Sequence, residues 1–165
     1  MRDQEIMAQH LPAIYRMAWT LTGNEADAQD LAHDTMVAAL TSLSTFRAES
    51  QMSTWLMSIL INRHRTWRRS HAIHSRLQPK VEAARPGPAD DAADPEQLAA
   101  LHAALDRLDA DERELIALSF YQGLDSSEIG AILQRPAGTV RSRLHDVREK
   151  LRALLSEMNI HAVDP

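Results

Sequence analysis

Four prolines fall within Gln78 to Gln97, QPKVEAARPGPADDAADPEQ, among alanines and acids and without apolar periodicity. Proline fixes φ and has no N–H to give a helix ladder, so this stretch reads as a linker rather than a packed element. It divides a chain of 165 residues into two halves, each with room for only a small core. The expected organisation is a domain over 1–77, a flexible linker over 78–94 and a second domain over 95–160.

Both halves carry helical spacing. Leu11, Ile14, Tyr15, Ala18 and Leu21 share one face, Pro12 is tolerable in a first turn, and Gly23 marks a stop. Asn24 with Asp27 forms a capping pair, after which Ala28, Leu31, Ala32, Thr35, Met36, Ala39, Leu40 and Leu43 define the inward face of a second helix. A loop over Ser44 to Gln51 leads to a third pattern, Met52, Trp55, Leu56, Ile59 and Leu60, which runs into Asn62-Arg-His-Arg-Thr-Trp-Arg-Arg69. At that spacing Trp55 reads as core.

In the second half, Asp94 and Pro95 open a helix carrying Leu98, Leu101, Leu105 and Leu108. Asp109 with Glu112 caps the next helix, and Gly123 ends it. Asp125 with Glu128 opens a short helix through Leu133, and Gln134 to Pro136 is a tight turn. The last helix, from about Ala137 to Leu155, turns Val140, Leu144, Val147, Leu151 and Leu154 inward. Nothing alternates as a strand, so the fold class is all-α: two small helical domains joined by a flexible linker. Short helix, tight turn and longer helix form a helix-turn-helix layout.

Several function classes drop out. Without cysteine there is no disulfide, thiolate metal site or cysteine nucleophile, which suits a cytoplasmic location. The apolar run Trp55 to Ile61 is interrupted by Ser58 and falls far short of the roughly 20 residues of a membrane helix. The polar stretch Met1 to Gln9 lacks the apolar centre of a signal peptide, so no membrane insertion is expected. His71 and His74 have no further ligands of the kind zinc requires, and no Walker loop, G-x-S-x-G elbow, H-E-x-x-H or EF-hand loop is present. The expectation is a chain with no catalytic residues, no metal and no cofactor: not an enzyme.

A net charge of -5 conceals strong local asymmetry. Residues 46–80 carry seven basic and one acidic side chain, and Arg135 to Arg152 carry six basic residues against Asp146 and Glu149. Two basic patches on an acidic chain suit nucleic-acid contact. In the last helix, Arg141, His145, Arg148 and Arg152 share one face; Arg141 lies early enough for base edges, with Arg148 and Arg152 placed for phosphates. Arg63, Arg65, Arg68 and Arg69 would neutralise phosphates, with Trp55 and Trp67 offering surfaces for stacking. Asp30 and Asp34 lie beyond the reach of their helix dipole and form an acidic step suited to a basic partner.

The run Gly123-Leu-Asp-Ser-Ser-Glu-Ile129, then Pro136-Ala-Gly-Thr-Val-Arg-Ser-Arg-Leu144, resembles region 4 of extracytoplasmic-function sigma factors. Asp27-Ala-Gln-Asp-Leu-Ala-His-Asp-Thr35, then Phe46-Arg47, then Thr54-Trp-Leu with Asn62, resembles their region 2 in order and spacing. The resemblance spans about residues 11–70 and 95–155. It implies a first domain that binds bacterial RNA polymerase core through Asp27, Asp30, His33 and Asp34. The same domain would melt the downstream promoter element through Phe46, Arg47, Asn62, Arg63, Arg65, Arg68 and Arg69. The second domain would read the upstream element through Thr139, Arg141, Ser142, Arg143, His145, Arg148 and Arg152. The implied partners are polymerase core, promoter DNA and, as in many relatives, an anti-sigma factor.

Four positions depart from the usual pattern: His33 replaces a common glutamine, Gln134 a common glycine, Arg135 an apolar residue and Asp146 a frequent arginine. The alternatives are a stand-alone helix-turn-helix regulator and a sigma-like interaction protein that does not melt promoters.

Overall fold

The computed structural model describes residues 2–46, 51–74 and 95–158. The proposed linker, Asp94 and Arg47 lie outside them, as do the side chains of His71, His74 and Leu98. Among the described residues there are eight α-helices, one short 3-10 turn and no strand. The chain divides into two compact units, Met1–Ala83 and Ala84–Pro165.

The first unit contains α1 (Arg2–Gln9), α2 (Leu11–Thr22), α3 (Glu25–Ser42), a 3-10 turn (Leu43–Thr45) and α4 (Met52–His74). The Gly23 N–H, at φ 75°, donates to the Trp19 carbonyl and closes α2. Asn24 then opens α3: its Oδ1 accepts from the Asp27 N–H at 2.9 Å, and its Nδ2 donates to Asp27 Oδ2 at 2.6 Å. Ile14, Met17 and Ala18 of α2 face Ala28, Leu31, Ala32, Thr35 and Ala39 of α3, with Leu56, Met57, Leu60 and Ile61 of α4 completing the core.

One detail adds to the sequence expectation and two differ from it. The polar start forms α1, anchored by the fully buried Met7. In α4 the buried face is turned towards Met57, Ile61 and His64, while Trp55 and Ile59 are only half-buried. The helix is apolar on several sides in its first half, and α2 and α3 choose which side is covered. Leu40, expected inward, is 46% exposed, because the stripe from Ala28 to Ala39 already fills the contact with α2 and α4.

The second unit contains α5 (Pro95–Asp106), α6 (Ala110–Gln122), α7 (Ser126–Leu133) and α8 (Ala137–Glu157). Both expected capping boxes form, Asp109 with Glu112 and Asp125 with Glu128, and each satisfies backbone donors reciprocally. Arg113 caps the end of α5 from α6, donating Nε to the Leu105 carbonyl and Nη2 to those of Asp106 and Leu108. All five expected inward residues of α8 are buried, and its rear half packs on Ala104, Leu105, Leu108 and Ile116.

The turn between α7 and α8 is closed at Gly130. Its carbonyl accepts from the Arg135 N–H at 2.9 Å, and a β-carbon on Gly130 would lie 2.6 Å from the Arg135 carbonyl oxygen. Gln134 takes the left-handed conformation, φ 55°, a strained choice for a residue with a side chain.

These two turn positions should respond oppositely to exchange. Gly130→Ala forces backbone apart and is expected to destabilise the second unit by about 1–3 kcal/mol, whereas Gln134→Gly should stabilise it by up to about 1 kcal/mol. Thermal unfolding of both variants checks this, and a Gly130→Ala protein as stable as the parent would contradict it. His102 on α5 gives a pH dependence: burial pushes its pKa below its ordinary value, partly opposed by the Asp106 carboxylate. The unfolded chain therefore takes up the proton first as pH falls. Stability from His102 is fully present above the ordinary value of 6.5 and declines below it. Unfolding followed from pH 7.5 down to 5.5 should show a shallower loss in His102→Gln than in the parent.

Candidate nucleic-acid and partner interfaces

At 100° per residue, the buried stripe of α8 fixes what its other sides carry. Arg141, His145, Arg148 and Arg152 lie on one flank, and Thr139, Arg143, Asp146 and Lys150 on the other; Ser142 is exposed between the flanks. Asp146 is thus turned away from the Arg141 flank. Arg141, Arg143 and His145, in the first part of the helix, point to solvent.

The basic residues further along are engaged within the unit. Arg148 Nη2 donates to Ser119 Oγ at 3.0 Å, with its guanidinium 5.6 Å above the ring of Phe120, itself 52% exposed. Lys150 Nζ donates to Glu112 Oε2 at 2.6 Å, and Arg152 Nη1 to Glu149 Oε1 at 2.7 Å. Arg135, unusual for its position, pairs with Asp111 of α6 at 3.4 Å and ties the turn to that helix.

In α4 the buried residues Leu56, Met57, Leu60, Ile61 and His64 leave Trp55, Asn62, Thr66 and Arg69 on the opposite side. Trp55 is covered in part by Phe46, with ring centroids 5.1 Å apart and planes tilted by 47°. Asn62, Arg63 and Arg69 are exposed, while Arg65 and Arg68 are half-buried. Trp67 is half-buried and stacks on His64, which is 2% exposed. The structure therefore aligns Trp55, Asn62 and Arg69 on one side of α4, with Phe46 against Trp55. The seven-residue step from Trp55 to Asn62 was the available signal that Trp55 belongs to the surface.

The outer side of α3 carries Asp30, His33 and Asp34, all exposed, directly opposite Ala28, Leu31, Ala32 and Thr35. Asp27 is half-buried, its carboxylate occupied by Asn24. The same side continues with Val37 and Leu40, 47% and 46% exposed, so an acidic step passes into an apolar one. Apolar spacing alone had assigned Leu40 to the core. Among the described residues, no group of acids, histidines or cysteines is placed to hold a metal ion, and no helix is long and apolar enough to cross a membrane.

With this geometry established, known proteins supply a direct comparison. Residues 6–73 match Sigma-70 region 2, and residues 104–153 match Sigma-70, region 4. The chain is 35% identical over 159 residues to the ECF RNA polymerase sigma factor SigE of Mycolicibacterium smegmatis, covering 93% of this chain and 61% of that protein. It is 30% identical to the RNA polymerase sigma factor CarQ of Myxococcus xanthus, over 95% of this chain and 91% of that one. The fold is similar to that of the sigma factor RpoE in complex with the anti-sigma factor NepR from Bartonella quintana, with a TM-score of 0.85 at 28% identity. That likeness covers 94% of this chain and 98% of the other.

The contact of Phe46 with Trp55 can be measured directly. Aromatic pairs contribute about 0.5–1.5 kcal/mol beyond burial, so a double-mutant cycle of Phe46→Ala and Trp55→Leu should give a coupling in that range. A coupling near zero would mean that the Phe46 ring does not rest on Trp55 in solution.

Proposed function

The chain belongs to the sigma-70 family as an extracytoplasmic-function sigma factor, and we propose that it directs bacterial RNA polymerase core to promoters, with α3 as the core-binding face, α4 as the melting surface and α8 as the reader of the upstream element. In this reading residues 1–77 bind polymerase and open the downstream element, 78–94 link, and 95–160 carry the helix-turn-helix. The protein is an initiation factor of the cytoplasm that performs no catalysis of its own and needs no cofactor. An anti-sigma factor is a further partner, supported by the similar RpoE bound to NepR.

The observation that carries the reading is the outer side of α3. Asp30, His33 and Asp34 offer charge to a basic partner helix, and Val37 and Leu40 offer it apolar surface. Charge of this kind chiefly sets orientation and association rate, while the apolar residues supply surface to be buried. A stand-alone operator-binding regulator has no use for such a face. On α4 and the turn before it, Phe46, Trp55 and Asn62 combine ring surfaces with an amide for base edges, which suits an unstacked base better than a duplex.

The test is reconstitution with purified bacterial core polymerase. Asp30→Lys with Asp34→Lys should weaken holoenzyme assembly by about 1–3 kcal/mol, roughly 5- to 150-fold. Asn62→Ala should leave assembly and duplex binding intact but lower permanganate reactivity of thymines in the opened promoter. A folded double-lysine variant that assembles as tightly as the parent would sink the α3 assignment, and parental reactivity in Asn62→Ala would sink that of Asn62.

A further inference from the structure

We propose that Arg148 and Lys150 are positioning residues that lock the rotation of α8 on α6, so that Arg141 and Arg143, at the front of α8, are cations that face DNA; this rests on the reading of α8 as the upstream-element helix. The two side chains are two residues apart, hence about 200° apart around the helix axis. Both nonetheless bond to α6. Arg148 reaches Ser119 and Phe120 near its end, and Lys150 reaches Glu112 near its start. The points of attachment on α6 are seven residues apart, about 10 Å along that helix. A helix tied at opposite flanks to two separated points of one neighbour resists both rotation and rocking.

The heptad spacing carries that constraint to the DNA. Arg141 lies seven residues before Arg148, and Arg143 seven before Lys150, so each pair shares an angular position within about 20°. All four side chains are exposed, and the rear member of each pair is also bonded to α6. Any rotation that pulled Arg148 from Ser119 would swing Arg141 by the same angle. A third tie, Arg135 to Asp111, holds the preceding turn to the same helix, so the entry to α8 and its middle are both referred to α6. Arg148 and Arg152 read from sequence as a pair of phosphate anchors. The contacts of Arg148 with Ser119 and Phe120 assign it instead to the seat of the helix.

The two roles differ in what they do to salt dependence. An arginine on a phosphate releases counterions, and its removal lowers the slope of log affinity against log salt by about one unit. A positioning residue leaves the slope unchanged and lowers discrimination between sequences. The experiment uses the full chain in holoenzyme, bound to a duplex selected from a random pool by the parent and to the same duplex with a scrambled upstream element. The selected-to-scrambled ratio and the salt slope are measured for each variant.

Arg148→Ala and Arg148→Lys should both cut the ratio several-fold at unchanged slope, because lysine keeps the charge but cannot reproduce the guanidinium contact with Ser119 and Phe120. Ser119→Ala, which removes no charge, should lower the ratio in the same direction, and combining it with Arg148→Ala should add little. Glu112→Gln, which keeps the capping hydrogen bond, should reproduce Lys150→Ala. Arg143→Ala should lower the slope by about one unit. A slope lowered by about one unit in Arg148→Ala would overturn the positioning role, and so would a parental ratio in both Arg148→Lys and Ser119→Ala. If Arg141→Ala and Arg143→Ala change neither ratio nor slope, it is the reading of α8 as the DNA helix that fails.

Discussion

The second unit turns on a contact that leaves no space for a single carbon atom. The Arg135 carbonyl oxygen lies 2.6 Å from where a β-carbon on Gly130 would stand, and the Arg135 N–H is bonded to the Gly130 carbonyl at 2.9 Å. The chain leaving α7 must therefore fold back across its own last turn. That return, with Gln134 left-handed and Pro136 leading into α8, fixes the direction in which α8 departs. A direction is not yet an orientation, because a helix can still spin about its axis. Spin is limited first by the stripe Val140, Leu144, Val147, Leu151 and Leu154, whose burial favours one side, and then by polar contacts with α6 on both flanks. Apolar burial supplies most of the energy but little angular resolution, since it is non-directional. The hydrogen bonds add less energy and more geometry.

How much of this was legible depended on how many local solutions the sequence allowed. In α8 the apolar residues are sparse and surrounded by charge, so only one face could be buried, and the whole stripe was readable. The caps at Asp109 and Asp125 were equally clear, because their chemistry is complete within four residues. In α4 the first half presents Met52, Trp55, Leu56, Met57, Ile59, Leu60 and Ile61, more apolar surface than two neighbours can cover. Periodicity there offered several faces, and contact with α2 and α3 selected one. That selection moved Trp55 from the expected core to the candidate site and placed His64 in the core instead. Helix α1, eight residues long, is too short to be stable alone and depends on packing of the kind Met7 supplies. Gly130, Arg148 and Lys150 were opaque for the same reason: each owes its role to a partner brought close by the tertiary fold.

The exposed faces follow from the same logic of narrow burial. In α3 the inward side is built from Ala28, Ala32, Ala39, Leu31 and Thr35, mostly small residues that need little width. This leaves the remainder of the helix free, and the outward residues do not match a purely solvated surface. Single exposed apolar residues are ordinary, but Val37 and Leu40 stand one turn apart beyond an acidic step, on a side opposite the core. Charge at one end and apolar surface at the other gives a partner a defined polarity along α3.

Net charge, finally, is a poor guide to such a molecule, and the distances say why. Helix α4 alone has 23 residues, hence a length of about 35 Å, whereas charges are screened over about 8 Å at physiological ionic strength. An acidic side chain at one end of a unit therefore does little to a phosphate at the other. The overall balance of -5 is the sum of patches that scarcely feel one another. Exposed basic side chains are clustered locally: Arg63 and Arg69 on α4, and Arg141 and Arg143 at the front of α8. The acidic excess elsewhere still matters at longer range and lower salt, where it opposes indiscriminate attachment to nucleic acid.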